Sequence, residues 1–275
     1  MGDPNLDEPG LDEPGLDDLL DLALRAGRRA GAFLAGGQHR DRRRVDTKAS
    51  ATDMVSEMDT GAEALIVEIL TAERPDDEIL AEEGGSSRGT SGLRWVVDPL
   101  DGTTNYLYGH PCYAVSIAAE RHGAPVVGVV VDPGRGEAFW ARRGGGAFRD
   151  GEPVRVSGLE DASTALVATG FSYDRCRRAE QAALLAPLLP RVRDLRRHGV
   201  ASLDLCWVAC GRLDAYFETD LKPWDVAAGT VIAREAGAAV RGLDGGPPAP
   251  GSIVAATPGV VEELLGLLGP STPPR

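Results

Sequence analysis

Asp98 and Asp101 stand three residues apart in Trp95-Val96-Val97-Asp98-Pro99-Leu100-Asp101-Gly102-Thr103-Thr104-Asn105, between a short apolar run and a glycine. The apolar run reads as a buried strand and the Pro-containing step as a turn. Two hard carboxylate oxygens delivered at a strand end can share divalent cations. Gly102 removes the bulk that would keep a phosphate from backbone N–H groups if a helix starts there. Taken alone, the stretch fits a pair of turn-capping aspartates as well as it fits a metal site. Further acids stand at Glu82-Glu83, after the apolar Ile79-Leu80-Ala81, and at Asp225 in Trp224-Asp225-Val226-Ala227-Ala228-Gly229. Neighbouring carboxylates raise each other's pKa unless a cation neutralises them, so a buried cluster of this kind implies metal.

With Glu82-Glu83 upstream and Trp224 to Gly229 downstream, the stretch Trp95 to Asn105 resembles the metal-dependent phosphatases whose best-known members are the inositol monophosphatases, over about residues 16–268. The resemblance implies a layered αβαβα sandwich of the sugar-phosphatase type, with an antiparallel sheet in the N-terminal half and a mixed sheet in the C-terminal half. It implies hydrolysis of inositol 1-phosphate or a similar polyol or sugar monophosphate by metal-activated water. Histidinol phosphate, fructose 1,6-bisphosphate and 3′-phosphoadenosine phosphate are the alternatives among relatives, and a silent binding protein on the same fold is the alternative outside catalysis.

By the same resemblance Glu82, Asp98 and the Leu100 carbonyl hold one cation, and Asp98, Asp101 and Asp225 a second. Glu82 also serves as base for the water, with Glu83 in support. Asp59 pairs with Thr103 to orient that water, the Gly102 and Thr103 N–H groups hold phosphate, Glu218 meets ring hydroxyls, Ala201 lines the pocket, and Lys48 lies near the metals. Leu100 stands where Ile is usual, which a carbonyl ligand tolerates, and Val200 stands where Thr is frequent. An all-oxygen set indicates Mg²⁺, two or three ions, over Zn²⁺. Lithium sensitivity and a homodimer are implied as well.

The elements that must position these residues follow from periodicity and breakers. Residues 1–15 repeat Leu-Asp-Glu-Pro-Gly and predict a disordered acidic tail. A helix is expected from Leu16 to the Gly36-Gly37 stop, then a polar loop with lid character through Lys48. A second helix is expected over Val55 to Leu70, and a short strand over Glu78 to Ala81. Strands at 113–119, 126–131 and 137–141 predict a meander, and Arg142 to Gly146 a hairpin turn rather than a phosphate cradle. From about 156 the pattern alternates: strand 166–169, helix 178–187, strand 192–195, helix 201–210, strand 213–218, helix 224–236, strands 238–240 and 252–255, helix 259–268. Such alternation implies a mixed or parallel sheet between helices. The chain thus divides into the tail, an N-terminal half over 16–155 with most of the acids, and a C-terminal half over 156–275 with Asp225 and the substrate pocket.

Composition sets the remaining bounds. At 275 residues and 43% hydrophobic the chain can fill one large core or two halves sharing one. A net charge of −13 argues against a nucleic-acid surface. No apolar run reaches a membrane span and the acidic start is no secretory signal; the partner that the resemblance implies is a small-molecule phosphate monoester. Four cysteines without a Cys-x-x-Cys pair read as reduced thiols in a cytoplasmic protein, with Cys206 and Cys210 as core residues.

Overall fold

The structure is a computed structural model that describes residues 15–37, 45–47, 54–248 and 251–269. The tail expected over 1–15 and the loop lysine Lys48 lie essentially outside those residues. The N-terminal half runs α1 (Leu16–Gly37), β1 (Val45–Thr47), β2 (Met54–Ser56), α2 (Glu57–Glu73), β3 (Glu78–Ala81), β4 (Leu93–Asp101), α3 (Thr103–Tyr108), β5 (Ala114–Arg121), β6 (Ala124–Asp132), β7 (Glu137–Arg142), β8 (Ala147–Arg149) and β9 (Glu152–Val154). The rest runs β10 (Leu166–Thr169), α4 (Arg175–Leu188), β11 (Asp194–Arg196), α5 (Ala201–Ala209), β12 (Ala215–Leu221), α6 (Pro223–Glu235), β13 (Ala239–Arg241), β14 (Gly251–Ala256) and α7 (Pro258–Leu268).

Seven strands form the first sheet in the order β3-β4-β5-β6-β7-β8-β9, and five form the second in the order β11-β10-β12-β14-β13. From β4 onward the first sheet is an antiparallel meander. β3 departs from it by joining β4 in parallel, with Ala81 opposite Val97. The second sheet is mixed: β10 pairs parallel with β11 and β12, while β14 runs antiparallel to β12 and β13.

Three clusters of buried side chains define five layers. Leu19, Leu22 and Leu34 of α1 and Ile66 and Leu70 of α2 pack with Trp95, Val97, Ile117 and Val129 on the outer face of the first sheet. On its inner face Val96, Ala118, Val130 and Phe139 meet Leu203, Cys206 and Trp207 of α5 and Ala228 and Ile232 of α6, which on their other side meet Tyr216 and Ile253 of the second sheet. Val260, Val261 and Leu264 of α7 close the far face. Every residue of α5 is buried because both of its faces are covered, and its two polar residues, Ser202 and Asp204, are bonded to Asp101 and His198. The order is helix, sheet, helix, sheet, helix.

Differences from the sequence reading fall on the short elements. β1 and β2 pair antiparallel inside the stretch expected to be loop, and Val55 belongs to β2, so the second helix begins at Glu57. β8 and β9 extend the meander by three residues each, too few to show an alternation. The turn over Arg142 to Gly146 joins β7 to β8 as a hairpin, with Gly145 N donating to Arg142 O at 2.9 Å. All four cysteines are free thiols, Cys206 buried and Cys210 half-buried.

Candidate metal and phosphate site

Parallel pairing of β3 and β4 makes the site. Both strands end on the same edge, so Glu82, one residue past β3, lies beside the end of β4, with its N–H donating to Val97 O at 3.3 Å. Pro99 has no N–H for the ladder, and the β4–β5 register shifts between Asp98 and Asp101. Within that irregularity Leu100 N donates to Asp98 Oδ1 at 3.0 Å. Gly102 then caps α3 at φ 92°, a left-handed conformation, and a Cβ there would come within 2.8 Å of Val200 Cγ2. Thr103 Oγ1 lies 3.2 Å from Asp59 Oδ2 and 3.0 Å from Leu100 O. Asp59 sits in the first turn of α2, where a surface acid favoured by the helix dipole would also be expected, yet it is only 1% exposed.

The second half supplies the opposite wall. Asp225 falls in the first turn of α6 and accepts from Lys222 N at 2.6 Å through Oδ2. Ser202 of α5 donates its N–H and hydroxyl to Asp101 Oδ2, at 2.8 and 2.7 Å, across a hundred residues of sequence. Glu218 of β12 accepts from Tyr216 OH at 2.8 Å. A cavity of about 600 Å³ opens between the halves, with Glu82, Asp98, Leu100, Asp101 and Asp225 in its floor. Gly102, Thr103, Ala201 and Glu218 line the same space. Asp59 and Glu83 stand behind the wall. The Glu83 N–H is held by Glu63 Oε2 at 2.7 Å, and Gly85 N by Glu63 Oε1 at 2.8 Å.

Electrostatically the cavity gathers buried acids. Burial, and then the charges of Glu82, Asp101, Asp225 and Asp59, hold the Asp98 carboxyl well above the usual carboxylate range. Burial also pushes Asp101 up to about 6, against the opposing Ser202 hydrogen bonds. Asp225 is raised well above its ordinary value by burial and then by Asp101. Glu218 is pushed up to about 7 by burial, with the Tyr216 hydroxyl and the Arg197 charge pulling the other way. Among the described residues no three His, Cys, Asp or Glu side chains are already gathered around one ion-sized point. Asp98 and Asp225 each commit one oxygen to a backbone N–H. A set of acid oxygens in mutual repulsion fits hard divalent cations.

Ser202, Glu63 and Tyr216 escaped the sequence reading. Ser202 and Glu63 touch site groups on other elements, and Tyr216 touches Glu218 two places along its own strand, where a buried tyrosine otherwise reads as core. Glu63 lends itself to a direct check. Glu63→Gln keeps shape but leaves one of two N–H donors facing an amide NH₂, a loss of about 1–3 kcal/mol. The expected result is a Tm about 2–8 °C lower, read by calorimetry.

A cleft of acids at strand ends between two helix-covered sheets is the architecture of a phosphatase of the layered α/β type. The chain matches the model of the inositol monophosphatase family over residues 16–268. It is 46% identical over 235 residues to an inositol-1-monophosphatase of Mycobacterium leprae, covering 82% of this chain and 81% of that one. It is 42% identical over 256 residues to a Nus factor SuhB of Pasteurella multocida, covering 92% and 96%. Its fold matches the inositol monophosphatase structure from Anabaena with a TM-score of 0.83 at 37% identity, over 92% and 96% of the two chains. The chain belongs to the inositol monophosphatase family, a family of phosphatases.

Proposed function

We propose that this protein is a Mg²⁺-dependent phosphomonoesterase acting on inositol 1-phosphate or a similar polyol or sugar monophosphate. The observation that carries the reading is the meeting of Glu82, Asp98, Leu100, Asp101 and Asp225 in one cavity beside Gly102-Thr103. Glu82, Asp98 and the Leu100 carbonyl would hold one cation, and Asp98, Asp101 and Asp225 another. Cations held by these residues would supply neutralisation of ester charge, a more acidic water and stabilisation of the departing oxygen.

The chain's own groups do the positioning. The Gly102 and Thr103 N–H groups bind the phosphate oxygens. Asp59 takes the Thr103 hydroxyl hydrogen, so the Thr103 oxygen turns a lone pair toward the attacking water and orients it. Glu82 receives the proton as the oxygen attacks. Ser202 holds Asp101 in place, and Ala201 and Glu218 form the wall that meets the polyol. Glu83 and the loop lysine Lys48 act in support.

The relative described as a Nus factor favours a second reading in which this fold serves a protein partner. It ranks below catalysis because every acid of the site is present. Assembly as a homodimer belongs to the same proposal. The test is phosphate release from inositol 1-phosphate, histidinol phosphate, fructose 1,6-bisphosphate and adenosine 3′,5′-bisphosphate, with and without Mg²⁺. Mg²⁺-dependent release, fastest on a polyol monophosphate and inhibited by Li⁺, is expected. Absence of release from all four overturns the reading.

A further inference from the structure

Glu218 is seated more tightly than a pocket carboxylate needs to be. β12 carries it beside β10, where Thr169 pairs with Phe217, so Gly170, one residue past the end of β10, lies next to it. A Cβ built on Gly170 would overlap Cδ and both oxygens of Glu218, so the carboxylate rests directly against the glycine backbone. From its own strand Tyr216 donates its hydroxyl to Glu218 Oε2 at 2.8 Å. Tyr216 is fully buried, and burial keeps its phenol protonated as a donor. Gly170 is itself buried, stands behind the cavity wall, and has no left-handed φ. No backbone conformation therefore demands glycine there; what a Cβ would meet is the carboxylate end of Glu218, which could make room only by leaving the Tyr216 hydroxyl.

We propose that Gly170 and Tyr216 are positioning residues that fix the pose of Glu218, and through it the preference for polyol phosphates over phosphate esters without ring hydroxyls. The proposal rests on the phosphatase reading above. Tyr216 occupies Oε2, which leaves Oε1 to accept a substrate hydroxyl at one defined angle. A methyl group at position 170 displaces the whole carboxylate, and a misplaced acceptor loses the discrimination that buried hydrogen-bonding groups provide.

The test is a double-mutant cycle of Gly170→Ala and Glu218→Ala, read by kinetics and by Tm. Gly170→Ala alone is expected to lower kcat/KM for inositol 1-phosphate about ten-fold or more, mainly through KM, and to lower it several-fold less for p-nitrophenyl phosphate. It is expected to lower Tm by about 3 °C or more. In the Glu218→Ala background the carboxylate is gone, and the same Ala is expected to change kcat/KM less than about two-fold and Tm by less than about 1 °C. Tyr216→Phe is expected to shift KM in the same direction. Equal effects of Gly170→Ala with and without the Glu218 carboxylate overturn the proposal. A wild-type protein that releases no phosphate overturns the phosphatase reading instead, while the Tm cycle still judges the seat.

Discussion

Asp98→Asn is expected to lower Mg²⁺-dependent phosphate release by about 10²–10³-fold or more and, in the same protein, to raise the Tm measured in EDTA. The two outcomes have one cause. Asp98 is 2% exposed, lies at the end of β4, and feels Glu82, Asp101, Asp225 and Asp59 together. Holding a charge there without a cation opposes folding. Asn keeps the acceptor for Leu100 N, so the turn through Pro99 is preserved. It also removes the charge that both proposed cations share, which is why turnover collapses while the fold gains. A site that costs stability to keep is what selection for function leaves behind. Steady-state rates over a Mg²⁺ range and paired thermal melts check it. A variant within ten-fold of wild type would remove Asp98 from the cation set. Unchanged stability in EDTA would mean that the repulsion is relieved some other way.

The legible part of this site is the part whose chemistry is local in sequence. Asp98, Asp101 and Gly102 declare themselves because a strand, a proline and a glycine fix their surroundings within a few residues. Asp225 stands at a helix start, where an ordinary N-terminal acid is equally at home, and only the resemblance of Trp224 to Gly229 singled it out. What no local pattern carries is the mutual arrangement. The parallel entry of β3 beside β4 sets Glu82 against Asp98, and a four-residue strand has no feature that distinguishes parallel from antiparallel pairing. The bond from Ser202 to Asp101 links two layers and appears only once α5 lies between the sheets. Gly170 is less legible still: after a strand it reads as punctuation, and only the side chain of Glu218 on the next strand gives it another meaning. β1 and β2 were hidden for a simpler reason, since three residues cannot establish a period of two. The alternation of strands and helices after about residue 156 was legible as a sheet between helices, whereas the full five-layer order came from the resemblance alone.

Removing divalent cations is expected to turn the pH dependence of stability upside down at the acid end. In metal-free protein, Asp98, Asp101 and Asp225 all hold protons more tightly folded than unfolded, Asp101 up to about 6. Between the unfolded carboxylate value near ~4 and those raised folded values, the native state binds more protons than the unfolded state. Stability therefore falls as pH rises through about 6, because folding must then either retain those protons or bear the charges. Mg²⁺ binds the ionised oxygens and displaces the protons, so its stabilisation runs the other way, weak at pH 5 and strong at pH 8. The expected result is an EDTA Tm that declines from pH 5 to pH 8, and a Mg²⁺-induced increase in Tm that grows over the same range. Phosphate release should rise along with that increase. Ser202→Ala sharpens the test: with the hydroxyl hydrogen bond gone and only the backbone N–H of residue 202 left, Asp101 titrates higher, and the pH at which Mg²⁺ begins to stabilise moves up with it. A Mg²⁺ effect on Tm that is the same at pH 5 and pH 8 would mean that the cation binds elsewhere than these carboxylates.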